Sequence, residues 1–284
     1  MTFAFSPGPS TFYAGVRLFI HSNLLISLAA TGTALSTMIL AGLSIDPLAL
    51  FIVFAVTLFV YSFNRLADRA EDRKNLPQRT AFIDRYGTQL FILGTVLYLL
   101  ATVVAIVASV PGAPAMVIPL AVAVLYSVVG LKRLLLVKNL LVGLAWGLIP
   151  LGVGVYYSVL WTVDILFLFA FTTAMLTIAA VVFDIKDIEG DKREGVRTVP
   201  IVAGVNRTRL LAAGATVVVA AIVTLAILAG LLRTEYVTLL AFTAYVFGYS
   251  LVATEDRTVL FYGGVIDSEH IFLALMLLLV EYGH

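Results

Sequence analysis

The chain contains no cysteine. Disulfides and thiolate chemistry are therefore excluded, and the sequence carries no redox signature of its compartment. Charge is also scarce. Only 12% of the 284 residues are Asp, Glu, Lys or Arg, against about 25% in soluble domains. Apolar runs are continuous rather than alternating, which excludes the dyad pattern of a transmembrane β-barrel. Residues 1–12 are polar and Pro-rich with no basic stretch ahead of a short apolar core, so no cleavable signal peptide is expected. The net charge of +1 points to no highly charged partner, and nucleic acid is not expected as one.

What the chain has is apolar length. It is 61% hydrophobic with a mean hydropathy of +1.06. The expected fold is an all-α, multi-pass integral membrane protein, because helices satisfy their own backbone hydrogen bonds in lipid. Nine spans are expected, at about 14–41, 46–66, 88–109, 114–131, 138–157, 162–183, 208–231, 235–253 and 259–281. They form one domain over residues 1–284, with charged loops at about 64–87 and 184–207.

The basic residues supply a check on that count. With a cytoplasmic N-terminus, every one of the 18 Lys and Arg residues except Arg233 falls in a cytoplasmic segment. The positive-inside rule then supports nine spans, cytoplasmic polar loops and a C-terminus outside. The second and sixth connections are long and acidic, and sit about four spans apart. That spacing suggests an internal duplication of helix pair, charged loop, helix pair. Connections of such length are usually functional or disordered.

Those two loops carry the chemistry. The first reads Asn64-x3-Asp68-x3-Asp72-Arg73, with Pro77 and Arg79 following. Four-residue spacing places Asn64, Asp68 and Asp72 on one helical face. The second reads Asp184-x2-Asp187-x3-Asp191, followed by Gly195, Thr198 and Pro200. One such loop reads more readily as a solvated helix end. Two of them, each at the end of an apolar span, point to a shared site. Opposed carboxylates repel any anion unless divalent cations intervene, and Mg²⁺ binds through one or two carboxylates plus a substrate phosphate. Arg73, Arg79, Lys132, Arg133, Lys186, Lys192 and Arg193 are candidates to neutralise the remaining phosphate charge.

At these residues the chain resembles the UbiA superfamily of intramembrane prenyltransferases. The family's first pattern is matched by Asn64, Asp68, Asp72, Arg73, Pro77 and Arg79, and its second by Asp184, Asp187, Asp191, Gly195, Thr198 and Pro200. Tyr126, Lys132-Arg133 and Lys138-Asn139 resemble the family's loop before the fifth helix. The resemblance implies a helical bundle around a central cavity capped by both loops. It implies two Mg²⁺ ions held by Asp68, Asp72, Asp187 and Asp191, with Asn64 and Asp184 assisting, and an allylic prenyl diphosphate as donor. The implied reaction transfers the isoprenyl group to a lipophilic acceptor in the membrane and releases pyrophosphate. A quinone precursor, an ether lipid or a carotenoid is the expected acceptor class.

Other polar residues are open to two readings. His21 and Asn23 in the first span either contact acceptor or diphosphate, or make interhelical hydrogen bonds. Asp267, with Glu269 and His270, either opens the last span at the interface or lines the cavity. Tyr126 is a candidate for stabilising a carbocation by cation–π contact. Tyr61 and Phe63 are placed to shape the pocket. Asp46 and Asp164 read as structural helix starts, and Trp146, Trp161, Tyr156 and Tyr157 as belt or packing residues. Two alternative functions remain at this point. A prenyl diphosphate cyclase would use the same scaffold, whereas a transporter would place its charges near mid-membrane, where these spans have few.

Overall fold

A helix that crosses lipid gains nothing by burying an apolar face against another apolar helix, so close packing of small residues decides which helices meet. The computed structural model describes residues 15–16, 18–67, 77–119 (backbone alone at 77–79), 121, 135–193, 195–258 and 260–283. Its helices are α1 (Leu24–Leu40), α2 (Pro47–Ala67), α3 (Pro77–Val107), α4 (Val137–Tyr156), α5 (Val163–Phe183), the short α6 (Ile188–Arg193) and α7 (Val199–Ala203), α8 (Val205–Leu228), α9 (Thr238–Val252) and α10 (Glu269–Tyr282). A π-helical segment, Leu260–Ile266, leads into α10. No strand occurs among the described residues.

Among the described residues, seven helices are long and apolar enough to cross a membrane, and α1 is a shorter apolar helix of 17 residues. Eight of the nine expected spans thus have a helical counterpart. Most of the fourth, at 114–131, lies outside the described residues. Two boundaries differ from expectation. The first span is not continuous: the chain turns at Ser22-Asn23, where Asn23 is left-handed (φ 64°), a conformation that Asn tolerates better than most residues. The third helix begins at Pro77 rather than near residue 88. Its first turns are polar, and Pro at the first helical position starts a helix readily.

The centre of the bundle is built around α1. Its buried face is Ser27, Ala29, Ala30, Gly32, Thr33, Ala34, Ser36, Thr37, Met38 and Leu40. Small side chains there let α2, α4 and α10 pack against it. A Cβ at Gly32 would meet the His270 carbonyl oxygen at 2.7 Å, so α1 and α10 touch backbone to backbone. Thr33 and Thr37 donate to the carbonyls four residues earlier, at 3.2 and 2.8 Å, which satisfies their hydroxyls inside the apolar interior. Large apolar side chains such as Val96, Val103, Leu211 and Leu225 face outward instead.

The α4–α5 pair positions Lys138, Asn139 and Asp184. Gly143 and Gly147 follow the small-x3-small spacing. A side chain at Gly143 would collide with the backbone oxygen of Thr173 and the hydroxyl of Thr177, and one at Gly147 with the Thr173 hydroxyl. The two helices run antiparallel in contact. The N-terminus of α4 therefore lies beside the C-terminus of α5, and Lys138-Asn139 meets Asp184.

At the opposite end, Asp46 accepts from the Leu48 backbone N–H at 2.8 Å and from the Tyr156 hydroxyl at 2.6 Å. Asp164 accepts from the Tyr236 hydroxyl at 2.6 Å. Arg233, the basic residue that departs from the one-sided distribution, donates to the carbonyls of Ile39 and Leu40. A cation there caps the end of α1 and complements its dipole.

Candidate active site

The second acidic loop starts where α5 stops. Asp184 is the C-cap of α5 and is only 2% exposed. A bare carboxylate at that depth would be costly, so it needs partners. Lys138 Nζ lies 2.9 Å from Asp184 Oδ1, and Asn139 Nδ2 donates to Oδ2 at 2.9 Å. Burial still pushes the Asp184 carboxyl above its ordinary range, against the pull of Lys138 and Asn139. Both of its oxygens are thus engaged by protein.

Lys138 also reaches the next acidic turn. Its ammonium is 3.8 Å from Asp191 Oδ2. The turn is tight: the Asp187 and Asp191 N–H groups donate to the carbonyls of Asp184 and Asp187 at 3.2 and 2.8 Å, and the Val196 N–H donates to the Asp191 carbonyl at 2.9 Å. Gly195 closes it at φ +68°, a conformation costly for a residue with a Cβ. Asp187 and Asp191 are partly exposed and Lys192 is exposed. Lys186 packs its ammonium against aromatic rings. Its ammonium sits 4.2 Å from the Phe183 ring centroid and 5.7 Å from that of Tyr262, a cation–π arrangement. Thr198 and Pro200 are buried beneath the loop.

Three further helices converge on this end. Asn64 and Arg65, both half-buried, lie in the last turn of α2. Asp267 precedes α10 and is half-buried, and its backbone N–H donates to the Tyr262 carbonyl at 3.2 Å. Asn23 is 2% exposed and directs its amide to Ser62 Oγ at 3.5 Å, a long contact, while its own carbonyl accepts from Ser27 at 2.8 Å. His21 is half-buried, with its ring 6.0 Å from that of Phe82. Trp161 is 82% exposed at the far end, whereas Trp146 is buried and donates to the Tyr61 hydroxyl at 3.2 Å.

The remaining sequence candidates are not covered. Asp68, Asp72, Arg73, Tyr126, Lys132 and Arg133 lie outside the described residues, as does the side chain of Arg79. Among the described residues no three or more His, Asp or Glu side chains gather closely enough to hold a metal ion alone. Sequence reasoning left Lys138 and Asn139 out of the candidate site, although both adjoin the basic Lys132-Arg133 pair. Their place at the start of an apolar span, opposite an Asp at the end of the next, was the signal that could have found them.

Comparison with known proteins bears on the same geometry. No curated protein sequence matches closely enough to carry an argument. Solved structures do share the fold. A UbiA homologue from Aeropyrum pernix K1 superposes with a TM-score of 0.67 at 17% identity, covering 90% of this chain and 97% of that one. A UbiA homologue from Archaeoglobus fulgidus bound to GPP and Mg²⁺ gives 0.62 at 14% identity, with 92% and 99% covered. A digeranylgeranylglyceryl phosphate synthase gives 0.58 at 20% identity, with 93% and 98% covered. At such identities the likeness is one of fold. Membership rests on the sequence itself: residues 25–259 match the model of the UbiA prenyltransferase family, and with that span covering most of a multi-pass helical chain, the protein belongs to this family.

Proposed function

We propose that the protein transfers an isoprenyl group from an allylic prenyl diphosphate to a lipophilic acceptor within the membrane, releasing pyrophosphate. The observation that carries this reading is the cluster of Lys138, Asn139, Asp184 and Asp191 at the charged end of an otherwise apolar bundle. A diphosphate needs such a mouth, and an allylic cation needs apolar walls that exclude water. The positive-inside distribution supports a cytoplasmic mouth, a cytoplasmic N-terminus and an outer C-terminus.

Asp187 and Asp191 fit Mg²⁺. They are partly exposed, and carboxylate oxygens are the ligands Mg²⁺ prefers. With Asp68 and Asp72 from the first loop they would hold two ions. When bound, Mg²⁺ supplies positive charge that offsets the departing diphosphate. Asp184 is assigned a different part. With both oxygens engaged, it holds Lys138 and Asn139 in place rather than ligating metal. Lys138 then presents its ammonium beside Asp191, where it neutralises phosphate oxygens. Arg73, Arg79, Lys132, Arg133 and Lys192 are assigned to the same diphosphate. The allylic C1–O bond breaks with its electron pair leaving on pyrophosphate, the acceptor's nucleophilic atom bonds to C1, and the acceptor loses a proton.

The test is turnover by purified protein with Mg²⁺, C5–C20 prenyl diphosphates and an acceptor panel, read by mass spectrometry. Asp191→Ala is expected to lower the rate by about 10²-fold or more while the variant still folds in detergent. Wild-type turnover that persists in excess EDTA would overturn the Mg²⁺ assignment. Substrate flux in proteoliposomes without consumption of a diphosphate would overturn the reaction.

A further inference from the structure

Three helices that meet at the charged mouth also meet deeper in the bundle. Tyr61 is one turn below Asn64 on α2. Trp146 is two turns below Asn139 on the same face of α4, about 10 Å along the axis. His270 is three residues past Asp267, about one turn inward along the last span. These deeper residues touch one another. The Trp146 indole N–H donates to the Tyr61 hydroxyl at 3.2 Å. The Trp146 and His270 rings lie edge to face with centroids 5.4 Å apart, and Phe242 stacks on His270 at 5.0 Å.

His270 itself is 2% exposed, and neither ring nitrogen has a hydrogen-bond partner among the described residues. Its neighbour Glu269 is half satisfied: Oε2 accepts from the Tyr249 hydroxyl at 2.6 Å, while Oε1 is buried without a partner among the described residues. A buried imidazole with no partner is unfavourable, and an ionisable residue within a span is a functional candidate by default. The stacked Phe242 ring and the edge-on Trp146 ring together restrict the orientation of the imidazole. Its two nitrogens, one a donor and one an acceptor in the neutral form, are left to a ligand.

We propose that His270 binds a hydroxyl group of the acceptor, with Trp146 and Phe242 orienting the imidazole. The proposal deepens the prenyltransferase reading and rests on it. A diphosphate held at the mouth places the allylic carbon just beneath it, so the acceptor's polar group must sit within a few turns of Asn139 and Asn64. That is the level of His270. A hydroxylated acceptor, such as a phenol, a quinol or a glycerol ether alcohol, satisfies the imidazole. A pure hydrocarbon such as a carotene leaves it unpaired and is disfavoured.

Two measurements test this. In the first, steady-state kinetics use geranyl and geranylgeranyl diphosphate as donors, with 1,4-dihydroxy-2-naphthoate, a glycerol ether alcohol and lycopene as acceptors. His270→Phe is expected to raise the KM of the preferred hydroxylated acceptor at least tenfold and to move the KM of the donor less than about twofold. His270→Gln, which keeps hydrogen-bonding capacity, is expected to recover part of the loss. An unchanged acceptor KM in folded His270→Phe overturns the proposal, as does lycopene being the best acceptor. In the second, Trp161→Phe leaves Trp146 as the single tryptophan of the two in the chain. Hydroxylated probes are expected to change its emission, and lycopene is not. If His270→Phe does not fold, this titration decides alone, and no emission change overturns the proposal. Wild-type protein that consumes no prenyl diphosphate with any acceptor strikes the prenyltransferase reading instead. The titration then still shows whether a hydroxylated ligand reaches this row.

Discussion

Lys138 shows how much one side chain can hold. Its ammonium joins the end of α5, through Asp184, to the turn that carries Asp191. Asp184 is almost wholly buried, so removing the lysine strands a carboxylate where water does not replace it. Breaking a buried pair from one side costs roughly 3 kcal/mol. Lys138→Ala is therefore expected to lower the unfolding temperature in detergent clearly and to reduce turnover. Lys138→Ala with Asp184→Asn, which removes the stranded charge, should recover most of the stability and little of the activity. Equal stability of the single and double variants would show that the pair does not hold the loop. The acidity of this loop was plain from sequence, because Asp184, Asp187 and Asp191 repeat within eight residues. Its partner was not, since 45 residues separate Asn139 from Asp184.

At the scale of the element, two glycines set the position of that pair. Gly143 and Gly147 let α4 lie against the backbone of α5. A methyl group at Gly143 faces a carbonyl oxygen, which cannot rotate away as a side chain would. Gly143→Ala is expected to destabilise by about 1–3 kcal/mol, measured as a fall in unfolding temperature, and to reduce turnover as α4 and α5 separate. Gly214→Ala on α8 is the matched control. Nothing lies within 4 Å of a Cβ there, and stability should stay within about 0.5 kcal/mol or rise. If both variants behaved alike, close approach of α4 and α5 would not be what positions the site. The small-x3-small spacing was legible in the sequence, but which neighbour it served was not. The same holds for Gly32, whose backbone contact is with α10, more than two hundred residues away. The break at Asn23 was hidden for a different reason. The His21-Ser22-Asn23 triplet is polar, but polar residues within a span read as well as interhelical contacts, and only a backbone angle marks the turn.

For the molecule as a whole, orientation is the claim most open to direct test. The absence of cysteine makes the native chain a clean background for single-cysteine labelling. Glu281 and Asp256 are both exposed and lie at opposite ends of the last span. With the charged mouth in the cytoplasm, Glu281→Cys should react with an impermeant maleimide in right-side-out vesicles, and Asp256→Cys only after permeabilisation. The reverse pattern would invert the topology. Arg233 is no counterargument to the positive-inside pattern. Its guanidinium caps the carbonyls of α1, a local task that outweighs the bias against a cation on that side.

The sequence by itself determined the solvent of this protein, its helical class, the one-sidedness of its charge and the family to which its two Asp motifs belong. Each is a property of composition or of short spacing along one chain, and the bilayer enforces them without reference to other helices. Only the tertiary structure decided which side chains meet. Lys138 and Asn139 hold Asp184, Trp146 holds Tyr61, and His270 packs against Trp146 and Phe242. Those meetings depend on the rotation and close approach of helices far apart in sequence. In lipid, small residues and interhelical hydrogen bonds fix both, and apolar periodicity carries almost no information about them.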